Sequence, residues 1–136
     1  MNNLNGKVAL VTGGSKGIGR ATCLALAKAG ASVIINYSSD SRSADALVEE
    51  IGSKHAFAVK SDAGSVKGAE DVVKATMDRF GRLDILIANA GVLDMKTLED
   101  TQEADFDRSF ALNVKGPYFL AQVRYTPSIH ENNMIH

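Results

Sequence analysis

The sequence predicts an α/β domain in which a parallel sheet carries helices on both faces. Three observations carry that expectation. Short β-branched apolar runs alternate with helical stripes along most of the chain. The links between them are short. Glycine-rich or polar loops follow the first, third and fourth apolar runs. Alternation of this kind builds parallel sheets through right-handed crossovers. In such sheets a ligand sits beyond the carboxyl ends of the strands.

The first strand is Val8–Val11, four apolar residues stopped at once by Thr12-Gly13-Gly14. An apolar-rich segment from Ile18 to Ala29 follows as a helix, with Gly30 as its stop signal. Val33-Ile34-Ile35 is the second strand, and Ser39-Asp40-Ser41 the loop and cap that start the next helix. Ala44, Leu47, Val48 and Ile51 recur at helical spacing up to Gly52. Ala56–Val59 is the third strand, followed by the polar loop Ser61-Asp62-Ala63-Gly64-Ser65. Val66, Ala69, Val73, Met77 and Phe80 form a second helical stripe, closed by Gly81. Leu83–Ala88 is the fourth strand, rich enough in Ile and Leu to be buried on both faces. Asn89-Ala90-Gly91 leaves it directly.

The 136 residues make one domain, 45% hydrophobic and 23% charged with net charge −1. That balance gives no reason to expect a nucleic acid or an anionic membrane as partner. No apolar run approaches a membrane span, and Met1–Lys7 lacks a signal-peptide core, so a cytoplasmic protein is expected. The sequon Asn36-Tyr37-Ser38 is then an accidental match. The single Cys23 cannot form an internal disulfide and is expected in the core. His130 and His136 lie outside any Cys/His/Asp cluster, so no metal site is expected.

The chemistry concentrates in the first turn. Between strand and helix, glycines let backbone N–H groups approach a pyrophosphate, and the helix N-terminus adds free donors and partial positive charge. The spacing Thr12-Gly13-x-x-x-Gly17-x-Gly19 differs from G-x-G-x-x-G, and Arg20-Ala21 replaces the Lys and Ser/Thr of a Walker A loop. A purely structural glycine turn is the alternative. Asp62 and Asn89-Ala90-Gly91 fall at the same sheet edge, so three polar loops converge there.

Those residues resemble the N-terminal half of a short-chain dehydrogenase/reductase. The resemblance spans about residues 4 to 122 and rests on Thr12-Gly13-Gly14-Ser15-Lys16-Gly17-Ile18-Gly19, Asp62, Asn89-Ala90-Gly91 and Asn113-Val114-Lys115-Gly116. It implies a Rossmann-type doubly wound sheet, here incomplete with strand order 3-2-1-4. It also implies hydride transfer between a nicotinamide and a small-molecule carbonyl or alcohol, with a ketone reductase as the expected kind of enzyme. Cofactor contacts are implied for Gly13, Ser15, Lys16, Gly17, Ile18, Gly19, Tyr37, Ser38, Asp62, Ala63, Asn89, Ala90 and Gly91. Asp62 would bind the adenine amino group, and Asn89-Ala90-Gly91 would pack under the adenine ribose and steady the sheet centre.

Charge argues the cofactor. An acidic residue at the end of strand two would repel a 2′-phosphate; Asn36-Tyr37-Ser38-Ser39 has none before Asp40, and Lys16 supplies a cation. NADP is expected over NAD. By the resemblance, Asn113 is a catalytic residue whose backbone carbonyl holds a water. Pro117, four residues on, has no N–H for that carbonyl, so a helix continuing here would kink.

The family's catalytic Ser and Tyr-x-x-x-Lys lie further downstream, and this chain ends before either; Tyr125 is followed by Thr-Pro-Ser-Ile129. The expectation is a truncated, inactive chain, with 1–122 as the partial domain and 123–136 as an irregular tail. A non-catalytic dinucleotide-binding module is the alternative. Strand four would show a bare apolar edge, and the helix bearing Phe106, Phe110 and Phe119 would lack packing. Marginal stability or aggregation follows unless another copy or a partner covers that surface.

Overall fold

The computed structural model describes residues 3–125. Four strands, β1 (Val8–Val11), β2 (Ser32–Tyr37), β3 (Ala56–Lys60) and β4 (Ile85–Ile87), form one parallel sheet in the order β3-β2-β1-β4. Helices α1 (Gly17–Lys28), α2 (Ser41–Ile51) and α3 (Val66–Phe80) cross between successive strands. After β4 come α4 (Glu103–Phe110), a π-helical turn (Ala111–Lys115) and α5 (Gly116–Tyr125). The predicted class and strand order are both found.

Alternation along the strands divides the core into two layers. Leu10 and Ile34 face Ala69, Val72 and Val73 of α3 and Leu120 of α5. Val11, Val33 and Ile35 face Cys23 of α1 and Ala44 and Leu47 of α2. Leu10, Val11, Ile34 and Ile35 are completely buried. Each such side chain contributes about 1.5–3 kcal/mol of transfer free energy. Cys23 belongs to this core as expected, and burial pushes its thiol up to about 12.

Two details of the core differ from expectation. In α3 the inward stripe is Ala69, Val72, Val73, Thr76 and Phe80, whereas Met77 is exposed. Thr76 is tolerated there because its hydroxyl donates to the Val72 carbonyl at 2.7 Å. In β4, Ile85, Leu86 and Ile87 are only half-buried rather than covered on both faces. Among the described residues β4 pairs with β1 alone, so its outer side is the open edge that the sequence also predicted. Leu93, Met95, Leu98, Phe106, Phe110 and Tyr118 beyond it are exposed. The Phe106 and Phe110 rings stack on one another at 4.3 Å rather than on the sheet.

Helix α5 continues to Tyr125, three residues past the point where the apolar pattern fades. The remainder of the expected tail, with Pro127, Ser128, His130 and His136, lies outside the described residues. No helix among the described residues is long and apolar enough to cross a membrane.

Candidate functional site

Four loops meet at the carboxyl edge of the sheet around a crevice of about 490 Å³. Its lining comes from the β1 exit (Gly13), the β2 end (Asn36, Ser38), the β3 exit (Ser61–Gly64), the β4 exit (Asn89–Gly91) and the α4 end (Arg108, Ala111, Leu112). A second depression of about 430 Å³ lies at the other end of the sheet, around Asn5, Lys28, Glu50 and His55. Its one lining glycine is Gly30, after α1, and neither the β1-exit nor the β4-exit turn reaches it.

The first turn is held by backbone contact. A Cβ on Gly19 would fall inside the contact radius of the Gly13 carbonyl oxygen and 2.7 Å from Asn89 Nδ2. Only glycine lets the start of α1 lie this close to β1. No side chain caps α1 and no acidic residue stands in its first turn, whereas Asp40 caps α2 and Ser65 caps α3. The first-turn amides of α1 also lack intrahelical acceptors by geometry, which leaves donors and positive partial charge at the turn. Ile18, in that turn, is 80% exposed, and Ser15 is buried.

The β4 exit is tied to the first turn. The Thr12 hydroxyl accepts from the N–H groups of Asn89 and Ala90, both at 3.1 Å. Asn89 Nδ2 donates to the carbonyls of Thr12 (3.0 Å) and Gly13 (3.2 Å). Asn89 thus ties the β4 exit to the first turn, to which its side chain is committed.

Asn36 is a junction that the sequence reading missed. It is 1% exposed, and its Nδ2 donates to the Ser61 hydroxyl (2.8 Å) and the Ser61 carbonyl (3.2 Å). Its backbone carbonyl accepts from Gly14 at 2.9 Å. The β1, β2 and β3 exits are therefore joined through one residue. A sequon asparagine used in this way has no amide free for a glycan. The available signal was a lone Asn ending the apolar run Val33-Ile34-Ile35 in a strand expected to be buried.

Asp62 opens the β3 exit, and its Oδ1 accepts from the Gly64 N–H at 2.8 Å. A Cβ on Gly116 would overlap the Ala63 carbonyl oxygen, so the π-helical turn and the β3 exit meet backbone to backbone.

Asn113 lies within the π-helical turn, not in a regular α-helix. The Gly116 N–H reaches back five residues to the Ala111 carbonyl, and Pro117 has no N–H for Asn113. The irregularity expected from Pro117 thus takes the form of a widened turn rather than a simple kink. Asn113 Oδ1 accepts from the Val92 N–H at 2.8 Å, and its Nδ2 donates to the Val92 carbonyl at 2.7 Å.

The cation expected at the 2′-phosphate is engaged. Lys16 Nζ lies 2.5 Å from Asp40 Oδ2. That ammonium, aided by the Ser43 N–H and hydroxyl, holds the Asp40 carboxyl well below the usual carboxylate range. Arg108 at the crevice rim is paired with Asp94. Of the site residues predicted, Gly13, Ser38, Asp62, Ala63, Asn89, Ala90 and Gly91 line the crevice. Ser15, Lys16, Gly17, Ile18 and Gly19, in the turn beside Gly13, do not line it, and neither does Tyr37, which packs against the α1–α2 side of the core.

The sequence model of the family described as short chain dehydrogenase matches residues 7–132. An uncharacterized oxidoreductase of Methylorubrum extorquens is 46% identical over 90% of this chain and 50% of its own length. A hydroxynaphthalene reductase of Aspergillus fumigatus is 43% identical over 90% of this chain and 45% of its own. A solved short chain dehydrogenase from Burkholderia cenocepacia in complex with NADP superposes with a TM-score of 0.87, at 37% identity, over 90% of this chain and 51% of that one. The chain spans about half the length of the curated relatives it matches.

Proposed function

The chain belongs to the short chain dehydrogenase family, and from that membership we propose that it binds NADP(H) in the crevice. It does so as the dinucleotide-holding part of an oxidoreductase that reduces a ketone or oxidises the matching alcohol. One observation carries the reading. The polar exits of all four strands converge on one crevice beside a helix N-terminus that no side chain caps. The solved Burkholderia relative, a complex with NADP, supports the choice of cofactor.

The residues present fit such a cofactor. The close contact at Gly19 leaves a cradle that a Cβ would fill, with the amides of Gly17, Ile18 and Gly19 as pyrophosphate donors. Ile18 offers an exposed apolar side chain, and Ser15 is buried within the turn. Lys16 and Ser38 would take the 2′-phosphate, with Tyr37 fixing the end of β2. Asp62 and Ala63 would hold the adenine, and Asn89, Ala90 and Gly91 would form the wall along the adenosine. When bound, the nicotinamide supplies or accepts the hydride. Family membership implies for Asn113 a part in proton transfer through its backbone carbonyl; its side-chain amide is engaged on Val92, and Pro117 offers that carbonyl no N–H.

A non-catalytic dinucleotide-binding module is the second reading. Fluorescence titration with NADPH and NADH, followed by NADPH oxidation with a panel of ketones, tests both. Turnover supports the oxidoreductase, and binding of either nucleotide supports the dinucleotide site that both readings share. Failure to bind either nucleotide overturns both.

A further inference from the structure

The pair between Lys16 and Asp40 has a consequence for cofactor choice. Asp40 is the fixed member. As the cap of α2, its Oδ1 accepts from the Ser43 N–H at 3.0 Å and its Oδ2 from the Ser43 hydroxyl at 2.9 Å. Lys16 is the movable member, at the end of a flexible stem with its side chain 65% exposed. The reading above needs Lys16 at the 2′-phosphate, and Asp40 is an anion competing for the same ammonium.

We propose that Asp40 is a specificity-determining residue: it sequesters Lys16 from an incoming 2′-phosphate and so narrows the preference for NADPH over NADH. The inference rests on the dinucleotide reading of the crevice. A 2′-phosphorylated nucleotide must draw Lys16 out of the Asp40 pair, or share it while lying near the Asp40 charge. A nucleotide with a free 2′-hydroxyl makes no such demand, so its affinity is independent of the pair. The sign is opposite to that of a helper residue. If Asp40 merely aimed Lys16 at the phosphate, removing its charge would weaken NADPH binding.

Asp40→Asn is the informative substitution, because Asn caps helices as well as Asp does and keeps an acceptor for the Ser43 N–H. NADPH and NADH dissociation constants of the 136-residue chain are measured by fluorescence, with a thermal melt to confirm an intact fold. The expected result is NADPH binding tightened by about threefold, the scale of one exposed ion pair, with NADH unchanged. In a Lys16→Met background the gain from Asp40→Asn falls by at least half, since the ammonium being competed for is gone. An unchanged or lowered NADPH/NADH ratio in Asp40→Asn overturns the proposal, as does an equal gain in both backgrounds. Those results leave the dinucleotide reading standing. If the unaltered chain binds neither nucleotide, that reading fails and the Asp40 proposal fails with it.

Discussion

Asn113 holds Val92 by both of its backbone groups, accepting from the N–H at 2.8 Å and donating to the carbonyl at 2.7 Å. One side-chain amide thereby fastens the segment leaving β4 to the π-helical turn. The same side chain touches the Gly91 position, where a Cβ would stand 3.2 Å from Asn113 Oδ1. Replacing Asn113 with Ala removes two hydrogen bonds, each with a net contribution of about 1 kcal/mol. The expected outcome is a loss of about 1–2 kcal/mol in denaturant unfolding. Hydrogen exchange should report faster exchange at the Val92 amide, with the β1 amides unaffected. A Val92 amide as protected as before would show that the contact does not hold the segment.

Gly19 and Gly17 stand two residues apart and should respond differently to alanine. At Gly19 a Cβ meets the Gly13 carbonyl and Asn89 Nδ2, so β1 and the β4 exit must separate. At Gly17 nothing lies within 4 Å, and the only cost is the positive φ of 52°. That cost is about 1 kcal/mol. Gly19→Ala should therefore weaken NADPH binding by at least about tenfold and destabilise by more than about 2 kcal/mol, and Gly17→Ala much less on stability. Equal effects in melts of the two variants would contradict the geometry.

Asn36 should behave as a core residue despite its polarity. Asn36→Leu leaves the Ser61 hydroxyl and carbonyl without their donor in a buried junction. Unsatisfied buried groups cost about 1–3 kcal/mol each, so a loss of about 3 kcal/mol is expected in urea unfolding. A loss below about 0.5 kcal/mol would show that the junction is not needed.

Asp84 sets an acid limit. The Arg82 guanidinium bonded to it, with help from the Val8 N–H and from Lys7, holds its pKa down at about 2. A carboxyl whose folded pKa is depressed contributes stability above its unfolded pKa, about 3.9, and loses it as pH falls through the folded value. Stability should thus decline between about pH 4 and about pH 2 through this group. Asp84→Asn should be less stable at neutral pH and show a shallower decline across that window. A decline equally steep in the variant would assign the effect to other groups.

How far these features were legible in the sequence depends on the range of the interactions that set them. The Gly13–Gly19 turn and the caps at Asp40 and Gly81 follow from local signals, the strand order follows from the family resemblance, and the structure has them all. The Asn113 irregularity was legible because Pro117 lies within one turn of it. The α3 stripe slipped to Val72 and Thr76 because apolar identity alone does not show which side of Met77 meets the sheet. The burial of β4 was overstated because composition shows what a strand can bury and not what stands beside it. Asn36 with Ser61 and Lys16 with Asp40 were not legible, since both join residues 24 or 25 positions apart through folded geometry alone.

The central claim is that backbone amides of the first turn receive a dinucleotide in the crevice. Titration of the isotope-labelled chain with NADP, followed through backbone amide resonances, tests it most directly. The account predicts saturable shifts at residues 13–19, 62–64 and 89–91, with Asn5, Ala27 and His55 at the opposite depression unmoved. Absence of saturable shifts in a folded sample, or shifts centred on that opposite depression, would contradict it.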